Sequence, residues 1–103
     1  MRPLTQRTLN RCARAHPSAK SSLFAWGRVV GQAAWTTPQD VKATYGNASI
    51  INRERVVFNI HGNNFRLVVA IEYARQTVFI KWFGSHAEYD RINAATIIWE
   101  DSP

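Results

Sequence analysis

The sequence has a single cysteine, few acidic residues and no long hydrophobic run, and each shortage excludes a class of protein. Cys12 has no second cysteine to pair with, which excludes an internal disulfide and favours a reducing compartment. The longest apolar run, LVVAI at 67–71, has only the length of a strand. The amino-terminal stretch also lacks the apolar core of a secretory signal. We therefore expect a cytoplasmic protein that does not enter membranes.

Acidic residues are outnumbered by basic ones. Thirteen Lys and Arg against seven Asp and Glu give a formal net charge of +6 and an isoelectric point near 10.3. Such an excess predicts a polyanionic partner, either nucleic acid, an anionic membrane or an acidic protein. At 103 residues, 46% of them hydrophobic, the chain suits one modest core, so we expect a single domain over residues 1–103.

The first half of the chain shows helical periodicity. Apolar residues spaced by three and four predict a first helix at residues 5–15 and a second that begins near Pro17. The stretch TTPQDVKATYGN predicts a short third helix, with Thr37 as N-cap, Asp40 closing a capping box and Gly46 as the stop.

From residue 50 the hydrophobic period changes to two. The stretches RVVFNI, NFRLVVAIEY and TVFIKWF predict three strands, joined by the turns HGN and ARQ into an antiparallel meander. Helices followed by strands predict an α+β fold in which two N-terminal helices pack on a small antiparallel sheet. The stretch SHAE after the last strand predicts a short C-terminal helical segment, because Ser85 and Glu88 have the spacing of a capping box.

Turn placement predicts the register of both hairpins. Gly62 and Asn63 at the centre of the first turn pair Asn59 with Arg66, Phe58 with Leu67, Val57 with Val68 and Val56 with Val69. Arg75 and Gln76 at the centre of the second turn pair Lys81 with Ala70 and Ser85 with Arg66. One face is then apolar, and the other carries Arg55, Asn59, Asn64, Arg66 and Lys81. This polar face is the predicted functional surface.

The polar face has the side chains that RNA transesterification requires. Arg66 and Lys81 can stabilise the charge that develops on the phosphorane. His86, at the start of the short helix, can move a proton to the leaving 5′ oxygen, and Tyr89 lies three residues further on the same side. This chemistry requires no metal and no other cofactor.

Each of these residues also has a structural interpretation. The polar side chains can simply solvate the outer face of a sheet, and a lone histidine at a helix start is more often a surface residue. Trp82 fits a packing residue better than a base-stacking platform, although it adjoins Lys81. The arginine stripe of the first helix, Arg7, Arg11 and Arg14, is a solvated helix face or a contact for RNA phosphates or an acidic partner.

Two segments of the sequence closely resemble a known family. VVFNIHGNNFRLVVAI and VFIKWFGSHAEYDRI resemble the HigB-type mRNA interferase toxins of type II toxin-antitoxin modules, in the RelE/ParE superfamily. The upstream stretch WTTPQDVKATY fits the same family. The resemblance implies a metal-independent endoribonuclease that cleaves mRNA, commonly at the translating ribosome. It also implies neutralisation by a HigA-type helix-turn-helix antitoxin.

The resemblance extends to individual residues. Arg66, Lys81, His86 and Tyr89 match family positions and are the candidate catalytic residues, with Asp90 completing the HAEYD signature. The candidate RNA-binding residues are Arg53, Arg55, Asn59, Asn64 and Trp82. Two other functions stay open: a non-enzymatic ParE-like toxin that blocks a protein target such as gyrase, and a basic RNA-binding module without turnover.

Overall fold

A computed structural model describes residue 1 and residues 6–98. The chain first forms helices α1 (Gln6–Ala15) and α2 (Lys20–Gln32), separated by a 3-10 turn at Pro17–Ala19. Both predicted helices are confirmed, except that residue 5, the predicted first residue of α1, lies outside the described residues. Within residues 6–98, no helix is both long and apolar enough to cross a bilayer.

The third helix, α3 (Pro38–Thr44), confirms the predicted capping box. The Thr37 hydroxyl accepts a hydrogen bond from Asp40 N–H at 3.3 Å, and the Asp40 carboxylate accepts one from Thr37 N–H at 3.2 Å. The helix ends at Thr44 and Tyr45 is its C-cap, directly before the predicted stop at Gly46.

Within residues 6–98 the sheet has four antiparallel strands, in the order β1-β2-β3-β4. Three of them are the predicted meander: β2 (Arg55–Ile60), β3 (Phe65–Glu72) and β4 (Thr77–Ser85). The edge strand β1 (Ser49–Ile50) was not predicted, because two residues are too few for a periodic signal. The α+β layering is confirmed.

The register of the first hairpin is as predicted, with Asn59 opposite Arg66 and Phe58 opposite Leu67. The short turn sets this pairing, and a slip of one residue would move every side chain of a strand to the other face of the sheet. The positive φ values of His61 and Gly62, 56° and 66°, reverse the chain tightly between the strands.

The predicted register of the second hairpin is wrong. Ala70 pairs with Phe79 instead of Lys81, and Ser85 pairs with Phe65 instead of Arg66. The turn occupies all of residues 73–76, because the Gln76 side chain donates hydrogen bonds to the carbonyls of Trp35 and Tyr73, at 2.6 and 2.9 Å. These contacts with distant residues are invisible in the local sequence.

A β-bulge at Lys81 further changes β4. Val69 pairs with Ile80 and Val68 with Trp82, so Lys81 is left without a partner on the neighbouring strand. An extra residue in one strand reverses the alternation beyond it. Trp82 therefore joins the face of the sheet opposite the helices, which we call the outer face.

The sheet separates two apolar clusters. The larger lies between the helices and the inner face, and includes Leu23, Trp26, Val30, Phe58 and Leu67. The smaller lies on the outer face, where Val57, Val68 and Trp82 are covered by residues of the chain after β4, namely Tyr89, Ile92, Ala94 and Ile97. The outer face is therefore apolar in part, which corrects the prediction of a wholly polar surface.

Burial of Cys12 predicts a thiol that does not react in the folded protein. Its side chain is 0% exposed, and burial raises the pKa of the thiol to about 12. At pH 8 only on the order of one thiol in ten thousand is then ionised, and the thiolate is the reactive form. We expect no labelling by a thiol-specific disulfide reagent at pH 8 in the native state, and complete labelling in denaturant. Fast labelling of the native protein would contradict this burial.

Candidate active site

A one-turn helix, α4 (His86–Tyr89), begins where β4 ends and carries two of the candidate catalytic residues. Its capping box is present as predicted. Ser85 N–H donates to the Glu88 carboxylate at 2.9 Å, and Glu88 N–H donates to the Ser85 hydroxyl at 3.2 Å. His86 N–H also donates to the carbonyl of Asn64 at 2.9 Å. The cap therefore joins the end of β4 to the loop of the first hairpin.

His86 pairs with a carboxylate one helical turn away. Its Nδ1 lies 3.5 Å from an Asp90 carboxylate oxygen, and the two side chains are 46% and 64% exposed. A carboxylate at this place can orient the imidazole. The sequence analysis assigned Asp90 no role, although the i, i+4 spacing of His86 and Asp90 was a usable signal.

Arg66 is held between the first hairpin loop and Tyr89. Its guanidinium donates to the Asn63 side-chain oxygen at 2.7 Å and to the carbonyls of Asn63 and Phe65, each at 3.1 Å. Its central carbon lies 6.0 Å from the centroid of the Tyr89 ring. That distance is at the outer limit of a cation–π contact. The structure therefore brings Arg66, Tyr89 and His86 together at one corner of the outer face.

Lys81 lies on the same strand as this corner, three residues before Gly84, which pairs with Arg66. It is half-buried at the bulge of β4, and its Nζ lies 5.7 Å from the centroid of the Phe79 ring. Phe79 is on the outer face opposite Ala70, so Lys81 points away from the helices, as predicted. It reaches the outer face by way of the bulge rather than by the predicted pairing.

The candidate RNA-binding residues occupy three different environments. Asn59 is half-buried opposite Arg66 on β2, and Asn64 is exposed in the adjacent loop, so both border the corner with Arg66. Arg53 is exposed at the other end of β2, the length of a six-residue strand away. The remaining two, Arg55 and Trp82, are both buried, each 8% exposed.

The side chains of Arg55 and Trp82 already have partners within the protein. The Arg55 guanidinium donates to the carbonyls of Ala94 and Ile97, at 3.2 and 2.8 Å. The Trp82 ring packs in the outer apolar cluster, 6.3 Å from the ring of Tyr89. Little of either side chain is left for an RNA backbone or base to contact.

No group of three or more His, Cys, Asp or Glu in the described part of the chain is arranged to hold a metal ion. Glu88 is the carboxylate of the α4 cap. Two hydrogen bonds lower the pKa of Glu88 from its usual 4.5. The bond from Ser85 N–H has the larger effect, and the bond from the Ser85 hydroxyl has the smaller one.

The helices, the antiparallel sheet and the short helix at its end define an α+β protein of the RelE-like class. Comparison with known families agrees with this assignment. The model of the HigB_toxin family, the RelE-like toxic component of a toxin-antitoxin system, matches residues 19–92. The chain belongs to this family.

Curated relatives match nearly the whole chain. It is 26% identical over 94 residues to the "mRNA interferase HigB" of Escherichia coli O6:H1, and this alignment covers 89% of this chain and 91% of the relative. It is 29% identical over 97 residues to the "mRNA interferase toxin HigB" of Escherichia coli K12, covering 91% and 92%. The "mRNA interferase HigB" of Shigella flexneri gives the same values.

The capping box of α4 predicts a specific response to pH. Because the pKa of Glu88 is lowered in the folded state, its carboxylate stabilises the protein above the usual pKa of 4.5. This stabilisation is lost as the pH falls through the folded-state pKa. We expect the unfolding free energy of wild type to decrease more steeply than that of Glu88→Gln between pH 5 and pH 3, measured by urea titration. Parallel decreases in the two proteins would refute the role of the cap.

Proposed function

We propose that this protein is the toxin of a type II toxin-antitoxin system and cleaves mRNA as an endoribonuclease. The observation that supports this most directly is the exposed corner where Arg66, Tyr89, His86 and Asp90 meet. Its side chains provide positive charge and a proton carrier on a surface that a single strand of RNA can reach. The relatives named mRNA interferases share 26–29% identity over most of the chain, which supports the same activity.

The reaction is a transesterification within the RNA. The 2′-hydroxyl attacks the adjacent phosphorus and gives its proton to solvent water, while the bond from phosphorus to the 5′ oxygen breaks. The products are a 2′,3′-cyclic phosphate and a free 5′-hydroxyl. The five-coordinate phosphorane carries additional negative charge, which Arg66 and Lys81 stabilise. No metal takes part in this scheme.

His86 supplies the proton that the leaving 5′ oxygen requires. Imidazole gains and loses a proton near neutral pH, which suits it to this step. Asp90 holds the imidazole through Nδ1, so that Nε2 faces the substrate. Tyr89, packed between Arg66 and Trp82, keeps the guanidinium and the α4 backbone in place.

RNA enters along the corner of the outer face that the C-terminal residues leave open. Asn59 and Asn64 border Arg66 and bind the backbone next to the scissile phosphate. Arg53, at the far end of β2, binds phosphates further along the strand. An extended single strand is the substrate that this layout suits, and we propose that the protein meets it on the translating ribosome in the cytoplasm.

Replacement of Lys81 or His86 should slow cleavage without unfolding the protein. Loss of one transition-state contact costs about 2.7 to 4 kcal/mol, a hundredfold to a thousandfold in rate. Lys81→Ala and His86→Ala should each show a loss of this size in single-turnover cleavage of mRNA on programmed ribosomes. The double variant should lose less than the product of the two effects, because the residues act in one transition state.

The controls for this experiment separate the alternative functions. Arg75→Ala, at an arginine whose side chain is 82% exposed in the second hairpin, should cleave at the wild-type rate. All variants should melt close to wild type. Full cleavage by His86→Ala would remove His86 from the mechanism. Intact but bound RNA would indicate a binding module without turnover, and inhibited DNA supercoiling would indicate a ParE-like toxin.

We further propose that a HigA-type helix-turn-helix antitoxin neutralises this protein through an acidic segment. The family implies an antitoxin partner, and the charge distribution supports an acidic one. Residues 1–39 contain six of the thirteen Lys and Arg and none of the seven Asp and Glu. Among the described residues, Arg7, Arg14, Lys20 and Arg28 are exposed on the two N-terminal helices. These helices pack on the inner face of the sheet, away from Arg66 and Tyr89.

Association with the antitoxin should slow as salt increases, because exposed charges are screened over about 8 Å at physiological ionic strength. We expect stopped-flow association to slow at least about tenfold between 50 and 500 mM salt. Arg14→Glu should reduce the rate more than Arg75→Glu, which changes the net charge equally but lies in the turn between β3 and β4. A rate independent of salt, or equal effects of the two reversals, would contradict this mode of binding.

A further inference from the structure

We propose that Arg55 is a positioning residue for α4. By its hydrogen bonds it holds the C-terminal segment, residues 92–97, on the outer face of the sheet, and this segment keeps Tyr89 and His86 beside Arg66. The inference rests on the proposed cleavage reaction for its effect on rate. Its structural part, the attachment of the segment by Arg55, can be measured without any cleavage.

Two hydrogen bonds attach the segment to the sheet, and Arg55 donates both of them. One nitrogen of the guanidinium, Nη1, donates to the carbonyl oxygens of Ala94 and Ile97, at 3.2 and 2.8 Å. The backbone of Arg55 is itself fixed, because its N–H donates to the Asn52 side chain at 2.9 Å and its carbonyl accepts from Ile51 N–H at 2.9 Å. Hydrogen bonds from a charged donor are the stronger kind. Arg55 is therefore a rigid anchor for a stretch of chain that has no strand or helix of its own.

The attached segment is in contact with the candidate active site. Ile92, Ala94 and Ile97 pack on Val57, Val68 and Trp82. The Trp82 ring in turn lies 6.3 Å from that of Tyr89, and Tyr89 lies below the Arg66 guanidinium. A continuous series of packed side chains thus runs from the Arg55 anchor to Arg66.

The short helix needs this support because it cannot hold its own position. A helix of four residues is a single turn, and isolated turns are unstable in water. The Ser85 cap and the bond from His86 N–H to Asn64 fix its first residue. Its other end continues directly into the segment, where Ile92 N–H donates to the Tyr89 carbonyl at 3.2 Å. Release of the segment would therefore free the end of α4 that carries Tyr89.

Two neighbouring arginines provide a matched comparison. Arg53 is exposed, whereas Arg55 is 8% exposed and has its guanidinium bonded to two backbone carbonyls. An RNA phosphate could bind Arg53 without any rearrangement. To bind Arg55 it would first have to displace the segment. Loss of Arg53 should therefore weaken RNA binding, while loss of Arg55 should slow the reaction of RNA that is already bound.

The experiment compares Arg55→Gln with Arg53→Gln in the full chain, well below the melting temperature of either. RNA affinity is measured at several salt concentrations with a single strand that has a 2′-deoxy sugar at the cleavage point. Single-turnover cleavage is measured at saturating protein, and amide hydrogen exchange is followed in residues 91–98. Ile97→Ala releases the same segment from its apolar side and serves as the second variant if Arg55→Gln does not fold.

For Arg55→Gln we expect slower cleavage, on the order of tenfold to a hundredfold. Its RNA affinity and salt dependence should be unchanged, and exchange in residues 91–98 should be faster. For Arg53→Gln the slope of log affinity against log salt should decrease in magnitude by about 0.7, the value of one single-strand phosphate contact. Amide hydrogen exchange in residues 91–98 should stay at the wild-type rate.

Three results would overturn the proposal. A lower salt slope for Arg55→Gln would make Arg55 an RNA contact, and a lower melting temperature with an unchanged cleavage rate would make its role purely structural. Unchanged exchange in residues 91–98 would show that Arg55 does not hold the segment. If wild-type protein cleaves no RNA, the proposed function fails, and faster exchange in Arg55→Gln still supports the attachment by itself.

Discussion

The burial of β3 on both of its faces is the constraint on which the rest of this structure depends. Leu67, Val68 and Val69 are all 0% exposed, although they point alternately to opposite sides of the sheet. The two N-terminal helices cover only the inner side. Burial of a valine or leucine contributes about 1.5–3 kcal/mol, so the outer side also requires an apolar cover. The chain after β4 provides it, and α4 is the link between β4 and that cover.

The candidate active site lies where this outer cover ends. Over Val57, Val68 and Trp82 the face is closed and apolar, whereas beside Arg66 it is open and lined by amides, a guanidinium and an imidazole. A phosphate can approach these groups without displacing packed side chains. Two arginines that look alike in the sequence therefore have different surroundings. Arg66 lies at the open corner, whereas Arg55 is buried under the C-terminal segment.

The parts of the fold that depend on residues close together in the sequence were predicted, and a part that depends on distant residues was not. The capping boxes of α3 and α4 join residues three positions apart, and both were predicted correctly. The first hairpin was also predicted in register, since the short turn between its strands allows few pairings. The second hairpin was not, because its turn is set by the bond from Gln76 to Trp35, which is 41 positions away.

The bulge at Lys81 adds one residue to β4 and so changes which side chains reach the outer face. The predicted pairing and the observed one place Lys81 on the same side, because they differ by two positions at that point. Beyond the bulge the alternation is reversed, and Trp82 lies on the outer face, where it packs against Tyr89. The role of Trp82 in RNA binding stays a prediction, and in this structure its ring packs under the C-terminal segment.

The sequence by itself determined the helices, the strands, the caps and the chemical types gathered near residue 86, because these depend on propensity, periodicity and spacings of a few residues. The continuous apolar run LVVAI even contained the signal that β3 is buried on both sides, since strands with one solvated face alternate. Only the tertiary structure decided which polar residues stay open. That choice depends on the path of residues 92–97 across the sheet, and this path is set by contacts about 40 positions apart, between Arg55 and the carbonyls of Ala94 and Ile97.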